Sequence, residues 1–358
     1  MSLVREYLRE LGQSALSGWN RFWFTPADPA TLGLIRILAG AMLLYTHLVW
    51  SLALSDFFGA HSWVSAEAAN MVMTPPAGPA EVRPAAPTSP TNFAWSYFWL
   101  IDSPTALCVV HVAGLVIFAL FTLGLASRAM SVLAFLVMVS YVNRVPGALF
   151  GLDQINGMLA MYLMIGPSGA AYSLDRLRTP RRADGARPPA PPSTSANIAI
   201  RLIQVHLCVI YFFAALGKLG GESWWQGDAL WGSFANLEYQ SFDMTWMAGW
   251  PLAMALLTAA TVYWELFFCV LVWPRLTRPL MLALAVPVHL GIALCMGMIT
   301  FGLVMLIGCV SFVSPALVRR LLDRPRAGGA GQGRGAREAP KPSVRPRRGA
   351  AAPSERQP

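Results

Sequence analysis

The sequence predicts an all-α, polytopic transmembrane helical bundle of about eight spans, and three observations carry that prediction. The 358-residue chain is 55% hydrophobic but only 13% charged, whereas soluble domains devote about 25% of their residues to charge. Its mean hydropathy is +0.49, so lipid rather than water must cover much of the exterior. Apolar runs of about 20 residues recur along the chain. Arginine collects in alternate connections between those runs, as it does in loops held on the cytoplasmic side.

The runs place spans at residues 32–54, 105–126, 129–143, 147–165, 197–217, 251–273, 279–297 and 300–315. With the N-terminus inside, the inner loops hold Arg128, then Arg176, Arg178, Arg181, Arg182 and Arg187, then Arg275 and Arg278. The outer loops hold Asp56, Glu67, Glu81 and Asp102, then Glu222, Asp228, Glu238 and Asp243; Arg83, Arg144 and Lys218 run against the trend. The expected location is the cell membrane, as a multi-pass protein with both termini cytoplasmic.

Flanking the spans, residues 1–24 lack the apolar core of a signal peptide. Leu8, Leu11, Trp19 and Trp23 alternate there with Arg5, Glu6, Arg9 and Glu10, which predicts an amphipathic helix on the membrane surface. Residues 25–320 form the transmembrane domain, and 321–358 a disordered basic tail. Eleven of the 27 basic residues lie in the last 40, a distribution suited to anionic lipid rather than nucleic acid. Residues 74–90 and 179–194 are Pro-rich linkers. Residues 222–250 carry Trp224, Trp225, Trp231, Trp246 and Trp250, an outer loop suited to the headgroup level. All five cysteines fall inside apolar runs without metal-ligand spacing, so no metal site or disulfide framework is expected.

Ionisable groups at membrane depth are costly, which makes each a candidate site, with interhelical hydrogen bonding as the plain alternative. In the fifth span Asn197, Arg201, Gln204, Cys208, Tyr211, Ala215 and Lys218 recur at three- and four-residue steps and line one helical face. The chain uses 25 arginines but only two lysines, Lys218 and Lys341. A lysine, unlike arginine, can lose its proton on burial and serve as a base. Arg36 and His47 share a face of the first span, where Arg36 is placed to snorkel towards the inner boundary. Asp153, with Gln154 and Asn156, marks a polar cluster in the outer half of the fourth span. Glu265, mid-span with Thr258 and Thr261, should pair with an Arg, His or Lys or else be protonated. His289 follows Pro287, which can kink its helix. His111 and His206 read as hydrogen-bonded structural groups. Asp153, Gln204, Tyr211 and Lys218 are predicted to face one interior pocket.

Four segments in this order resemble the HTTM (horizontally transferred transmembrane) domain family, related to the membrane part of vitamin K-dependent gamma-carboxylases. They are Leu34–Gly40, the run from Asp153 through Tyr162 to Asp175, Tyr211–Leu219 followed by Trp224, Trp225 and Gly227, and His289–Gly291 leading into Gly297 and Met298. The likeness covers roughly residues 20–320. It implies that Lys218 is the base activating a quinol such as vitamin K hydroquinone. Asp153 and His289 are further candidate catalytic residues, and Tyr211, Gln204 and Arg36 are candidate cofactor contacts. The carboxylases carry an Asn-His pair where this chain has Asp153-Gln154, and a large extramembrane domain where it has a short tail.

Three functional classes follow. One is a quinol-dependent membrane enzyme with carboxylase- or oxygenase-like lyase or ligase chemistry. Another is a non-catalytic membrane protein that binds lipid or a partner. The third is a transporter whose path would use Arg36, Asp153, Glu265 and His289. The lipid bilayer and a lipid-soluble quinone are the expected partners, and the sequence names no protein partner. No repeat of the kind many transporters carry is visible.

Overall fold

In hydrocarbon every backbone polar group must be satisfied within the chain, which leaves an apolar sequence two solutions, helices or a closed barrel. The computed structural model describes residues 2–60, 62–65, 95–181, 183 and 187–323, and it is all-helical. Among the described residues the only β-type pairing is an isolated antiparallel bridge between Ala27 and Ser193. The described residues up to 319 belong to one compact unit, and 320–323 to a second. The linker at 74–90 and the tail beyond 323 lie outside the described residues.

The helices run in chain order as α1 (Ser2–Phe24), α2 (Ala30–Trp50), α3 (Leu54–Phe58), α4 (Pro104–Leu123), α5 (Ser127–Arg144), α6 (Gly151–Ile165) and α7 (Leu174–Leu177). They continue as α8 (Thr194–Leu219), α9 (Glu222–Gln226), α10 (Ala229–Phe234), α11 (Pro251–Leu271), α12 (Arg278–Cys295), α13 (Ile299–Cys309) and α14 (Pro315–Leu322).

Five segments are long and apolar enough to cross a membrane: Ala30–Phe58, α4, α8, α11 and α12. A sixth is possible if Ile299–Phe312 and α14, bent at 112°, count as one. Helices stand at all the predicted positions, but α6 has 15 residues and α13 has 11. At 1.5 Å per residue these reach about 22 Å and 16 Å, short of a hydrocarbon core of about 30 Å. α5 has 18 residues, but Ser127, Ser131, Ser140 and Arg144 dilute its apolar character.

The helix ends follow their residues. Ser103 caps α4 ahead of Pro104, its hydroxyl accepting from the Ala106 N–H, and Ser193 caps α8 in the same way through Ala196. α4 stops at Gly124, whose φ of +70° is a left-handed conformation that favours glycine. A Cβ at Gly124 would lie 2.6 Å from Nη1 of Arg36 and 2.5 Å from Cβ of Ser173, so the turn needs glycine twice over.

Packing sets α8 against α11, α6 and α1, α2 against α4, and α12 against α13. The α12–α13 approach is close because Gly302 has no side chain. A Cβ there would stand 2.4 Å from the His289 carbonyl oxygen. The core draws on both halves of the chain, from Ile35, Leu43, Phe118 and Phe121 to Tyr211, Phe268 and Phe312.

α1 spans the predicted surface helix, with Leu3, Val4, Leu8, Leu11 and Trp19 all exposed. Its C-terminal end is fixed by α8. The Asn197 amide donates to the carbonyls of Phe22 (2.7 Å) and Trp23 (2.9 Å), and the Arg201 guanidinium lies 4.4 Å from the centre of the Phe22 ring. Residues 222–250 hold two short helices and a 3₁₀ turn at Thr245–Gly249, with Trp225, Trp246 and Trp250 exposed.

Candidate functional site

The polar stripe of α8 faces inward over most of its length. Gln204, Cys208, Tyr211 and Ala215 are buried, and the stripe ends at the half-buried Lys218. α11 packs along α8 and supplies the complementary group. Lys218 Nζ donates to both oxygens of Glu265, at 2.7 Å and 3.0 Å, and its side chain lies 5.3 Å from the Trp224 ring. The two side chains are only 23% and 10% exposed. A charge this far from water needs such a partner. The sequence leaves Glu265 either a cationic partner or a proton, and the fold supplies Lys218. Glu265 did not stand among the candidate catalytic residues, although an isolated mid-span carboxylate was the available signal.

Two turns deeper on the same face, about 10 Å along the axis at 1.5 Å per residue, sits a second group. The Tyr211 hydroxyl is 2.6 Å from Nε2 of His289 and 3.6 Å from Sγ of Cys309. Trp264 and Phe268 stand around the ring at centroid distances of 5.0 Å and 4.4 Å. The Trp264 indole N–H donates to the Met281 carbonyl, which joins α11 to α12. Nδ1 of His289 has no hydrogen-bond partner among the described residues, and the residue is 3% exposed. The fold therefore brings Tyr211 and His289 into contact and places Lys218 on the same face nearer the helix end. Cys309, read as a packing residue, shares the cluster.

The other candidates lie elsewhere. Gln204 is near the middle of α8, about 21 Å from Lys218 along the axis. Its Oε1 accepts from Arg201 and its Nε2 donates to the Ser311 carbonyl. Arg36 does not snorkel. It is fully buried and donates to the carbonyls of Ser168 (2.9 Å) and Tyr172 (2.5 Å), clamping the turn after α6. That turn offers unpaired carbonyls at close range, a stronger draw for a guanidinium than the distant headgroups.

Asp153 does not face Lys218 or Tyr211. It stands at the third position of α6, where its Oδ2 accepts from the Phe150 N–H at 2.9 Å, a cap on its own helix. The single pocket expected for Asp153, Gln204, Tyr211 and Lys218 is thus not what the fold builds. Arg144, one of the exceptions to the charge rule, is 2% exposed and holds Gly59, Ser62 and Val64 by hydrogen bonds. His206 meets the Tyr162 hydroxyl at 2.9 Å, away from the stripe. Of the two threonines near Glu265, Thr258 is buried and donates to the Gly227 carbonyl, whereas Thr261 bonds its own helix at Leu257.

The turn between α4 and α5 is closed by Asp175. Its carboxylate accepts the N–H groups of Ala126 and Ser127 and the Ser127 hydroxyl, at 2.6–2.9 Å. Burial pushes its pKa up, but these donors and the nearby Arg178 together outweigh that and hold it below the usual carboxylate value. Among the described residues no group of three or more His, Cys, Asp or Glu side chains is placed to hold a metal ion.

As chemistry, the α8–α11 pair is a proton donor and acceptor in direct contact at a half-dry helix end, with an aromatic face beside it. Comparison with known proteins found no matching family model, curated protein or solved structure.

Proposed function

We propose that this chain is an integral membrane enzyme that moves protons to and from a bilayer-dissolved, quinol-type molecule, with Lys218 as the base and Glu265 as its proton partner. The observation carrying this reading is the two-pronged Lys218–Glu265 contact at 2.7 Å and 3.0 Å. It holds the molecule's one described lysine, in a chain that otherwise writes arginine.

Glu265 can take a proton from the Lys218 ammonium across their hydrogen bond, leaving a neutral amine with a free lone pair. Arginine could not do this, because its guanidinium does not give up a proton in proteins. Trp224 offers a flat apolar face next to the amine, which fits an aromatic ring carrying an acidic hydroxyl. When bound, a quinol would supply that hydroxyl and two reducing equivalents. The resemblance to the HTTM domain and the gamma-carboxylases supports the same assignment of Lys218. Tyr211 and His289 form a buried hydrogen-bonded pair below the base and support its face of the helix. Arg36, Gln204 and Asp153 bond to backbone or neighbouring side chains elsewhere and have no part in this reading.

We further propose eight crossings, with α5, α6 and α13 as short ones inside the bundle, both termini in the cytoplasm and the cell membrane as the location. The arginine-rich connections at 176–187 and 275–278 support that orientation. Leu237 and Leu276 are 87% and 90% exposed, so cysteine replacements there suit accessibility labelling. Leu237→Cys should label only from outside and Leu276→Cys only from inside; the reverse pattern refutes the orientation.

A second reading has its own support. The Lys218–Glu265 pair satisfies itself and joins α8 to α11, as a purely structural bond would. The test is oxygen consumption by the purified protein in lipid nanodiscs supplied with reduced quinol, together with mass spectrometry of co-purifying quinones. Quinol-dependent turnover supports the enzyme. No turnover with a range of quinols, and no quinone carried through purification, favours the non-catalytic protein.

A further inference from the structure

A second buried polar cluster lies where α2, α4, α5 and α6 meet, apart from the α8–α11 pair. The Ser51 hydroxyl is 2.8 Å from Nε2 of His111, and Nδ1 of His111 is 2.5 Å from the Tyr141 hydroxyl. His47 packs against this chain, its ring 4.5 Å from that of Tyr141 and 4.4 Å from that of Phe118. Nδ1 of His47 lies 2.7 Å from the Leu43 carbonyl oxygen. A carbonyl only accepts, so the ring proton sits on Nδ1 and the lone pair on Nε2. Nε2 has no partner among the described residues, and His47 is 2% exposed. A dry, buried acceptor of this kind is costly.

A cavity of about 10 Å³ opens beside it, lined by His47, Tyr141 and Asp153 among apolar side chains that include Phe58 and Met138. That volume is the least that admits one water molecule. Oδ2 of Asp153 is engaged by the Phe150 N–H, which leaves Oδ1 as an acceptor.

We propose that this cavity is a binding site for a single water molecule that bridges Nε2 of His47 and the carboxylate of Asp153. The water donates one hydrogen to each, and these two partners are the minimum that hold a buried water. The bridge satisfies His47, ties α2 to the first turn of α6, and gives Asp153 a second task beyond capping its helix. The argument rests on the cavity and the unpartnered nitrogen, independently of any role for Lys218.

The test uses the full-length protein in lipid nanodiscs, labelled with ¹⁵N-histidine and assigned with His47→Gln. The His47 ring should be protonated on Nδ1, and its signals should receive magnetisation from water. A proton on Nε2, or no transfer from water, overturns the proposal. A double-mutant cycle supplies a second readout. Asp153→Leu leaves the water no partner at this position and removes the cap in both backgrounds, so it should lower the unfolding midpoint of the wild type by more than that of His47→Phe. Equal shifts in the two backgrounds would mean that no bridge couples the residues.

Discussion

Removing either half of the Lys218–Glu265 pair should cost more than removing both. The charged groups are 2.7 Å apart at closest approach, and the side chains are 23% and 10% exposed. At an effective dielectric near 20, two unit charges ~3.5 Å apart attract by about 5 kcal/mol. Much of that attraction offsets the loss of hydration, so the pair as a whole stabilises little relative to apolar residues of similar size. Deleting one partner is different, because the other charge is left at a half-dry helix end. Allowing for the residual exposure of Lys218, Lys218→Met and Glu265→Leu should each destabilise by about 2–3 kcal/mol, and the double variant by under about 1 kcal/mol. Thermal or denaturant unfolding in nanodiscs, followed by tryptophan fluorescence, would read all four corners of the cycle. Additive losses, with no coupling beyond about 0.5 kcal/mol, would refute a pair that joins α8 to α11.

Three further outcomes follow from the described contacts. Asp28 accepts from Arg319 at 2.6 Å and 2.7 Å; burial raises its pKa, but Arg319 and the Ala30 N–H lower it further, to a net depression. A depressed carboxylate contributes stability that is present above its unfolded pKa of about 3.9 and is lost as pH falls through the lower folded value. Wild type should therefore lose stability on acidification below about pH 4 that Asp28→Asn never has, by about 1 kcal/mol or less; parallel curves would contradict this. Asp175→Ala removes three hydrogen bonds from the α4–α5 turn and should cost about 1–2 kcal/mol, read as a lowered unfolding midpoint, whereas Asp175→Asn should recover part of it. Gly302→Ala drives a methyl group to 2.4 Å from the His289 carbonyl and should cost about 1–3 kcal/mol by prising α12 from α13; an unchanged midpoint would show that the two helices are not in contact.

The sequence made faces legible, but not partners. The three- and four-residue steps from Asn197 to Lys218 identify the inward face of α8 because helical period alone sets which side chains lie together. That Glu265 needs a cationic partner or a proton was also readable, since an isolated charge at membrane depth is too costly to leave alone. Which cation it takes depends on how α8 packs against α11, and no local pattern encodes that. Arg36 and Asp153 were misplaced for a related reason. A charged residue near a helix end has two outlets, solvent or the backbone groups that helices leave unpaired at their ends. Arg36 bonds carbonyls about 130 residues away in sequence, a contact set by the turn after α6. Asp153 lies three residues after Phe150, the spacing of a side chain that reaches back to cap its own helix, a local signal that an active-site reading passed over. Span number was harder still. The short helices α6 and α13 and the serine-bearing α5 are apolar enough to register as runs, yet their lengths and composition fall outside those of an ordinary membrane-crossing helix.

The proposal that Lys218 is a base turns on Lys218→Arg. Arginine keeps the positive charge and can still pair with Glu265, so folding should be preserved, with an unfolding midpoint close to that of wild type. Its guanidinium cannot become the neutral acceptor that proton removal needs, and general-base roles are worth about 10²–10⁴-fold in rate. Quinol-dependent oxygen consumption by Lys218→Arg in nanodiscs should therefore fall at least about 100-fold, as far as that of Lys218→Ala, while its stability remains. Full activity in Lys218→Arg, beside a loss in Lys218→Ala that tracks its instability, would contradict the account and leave Lys218 as a bond between two helices.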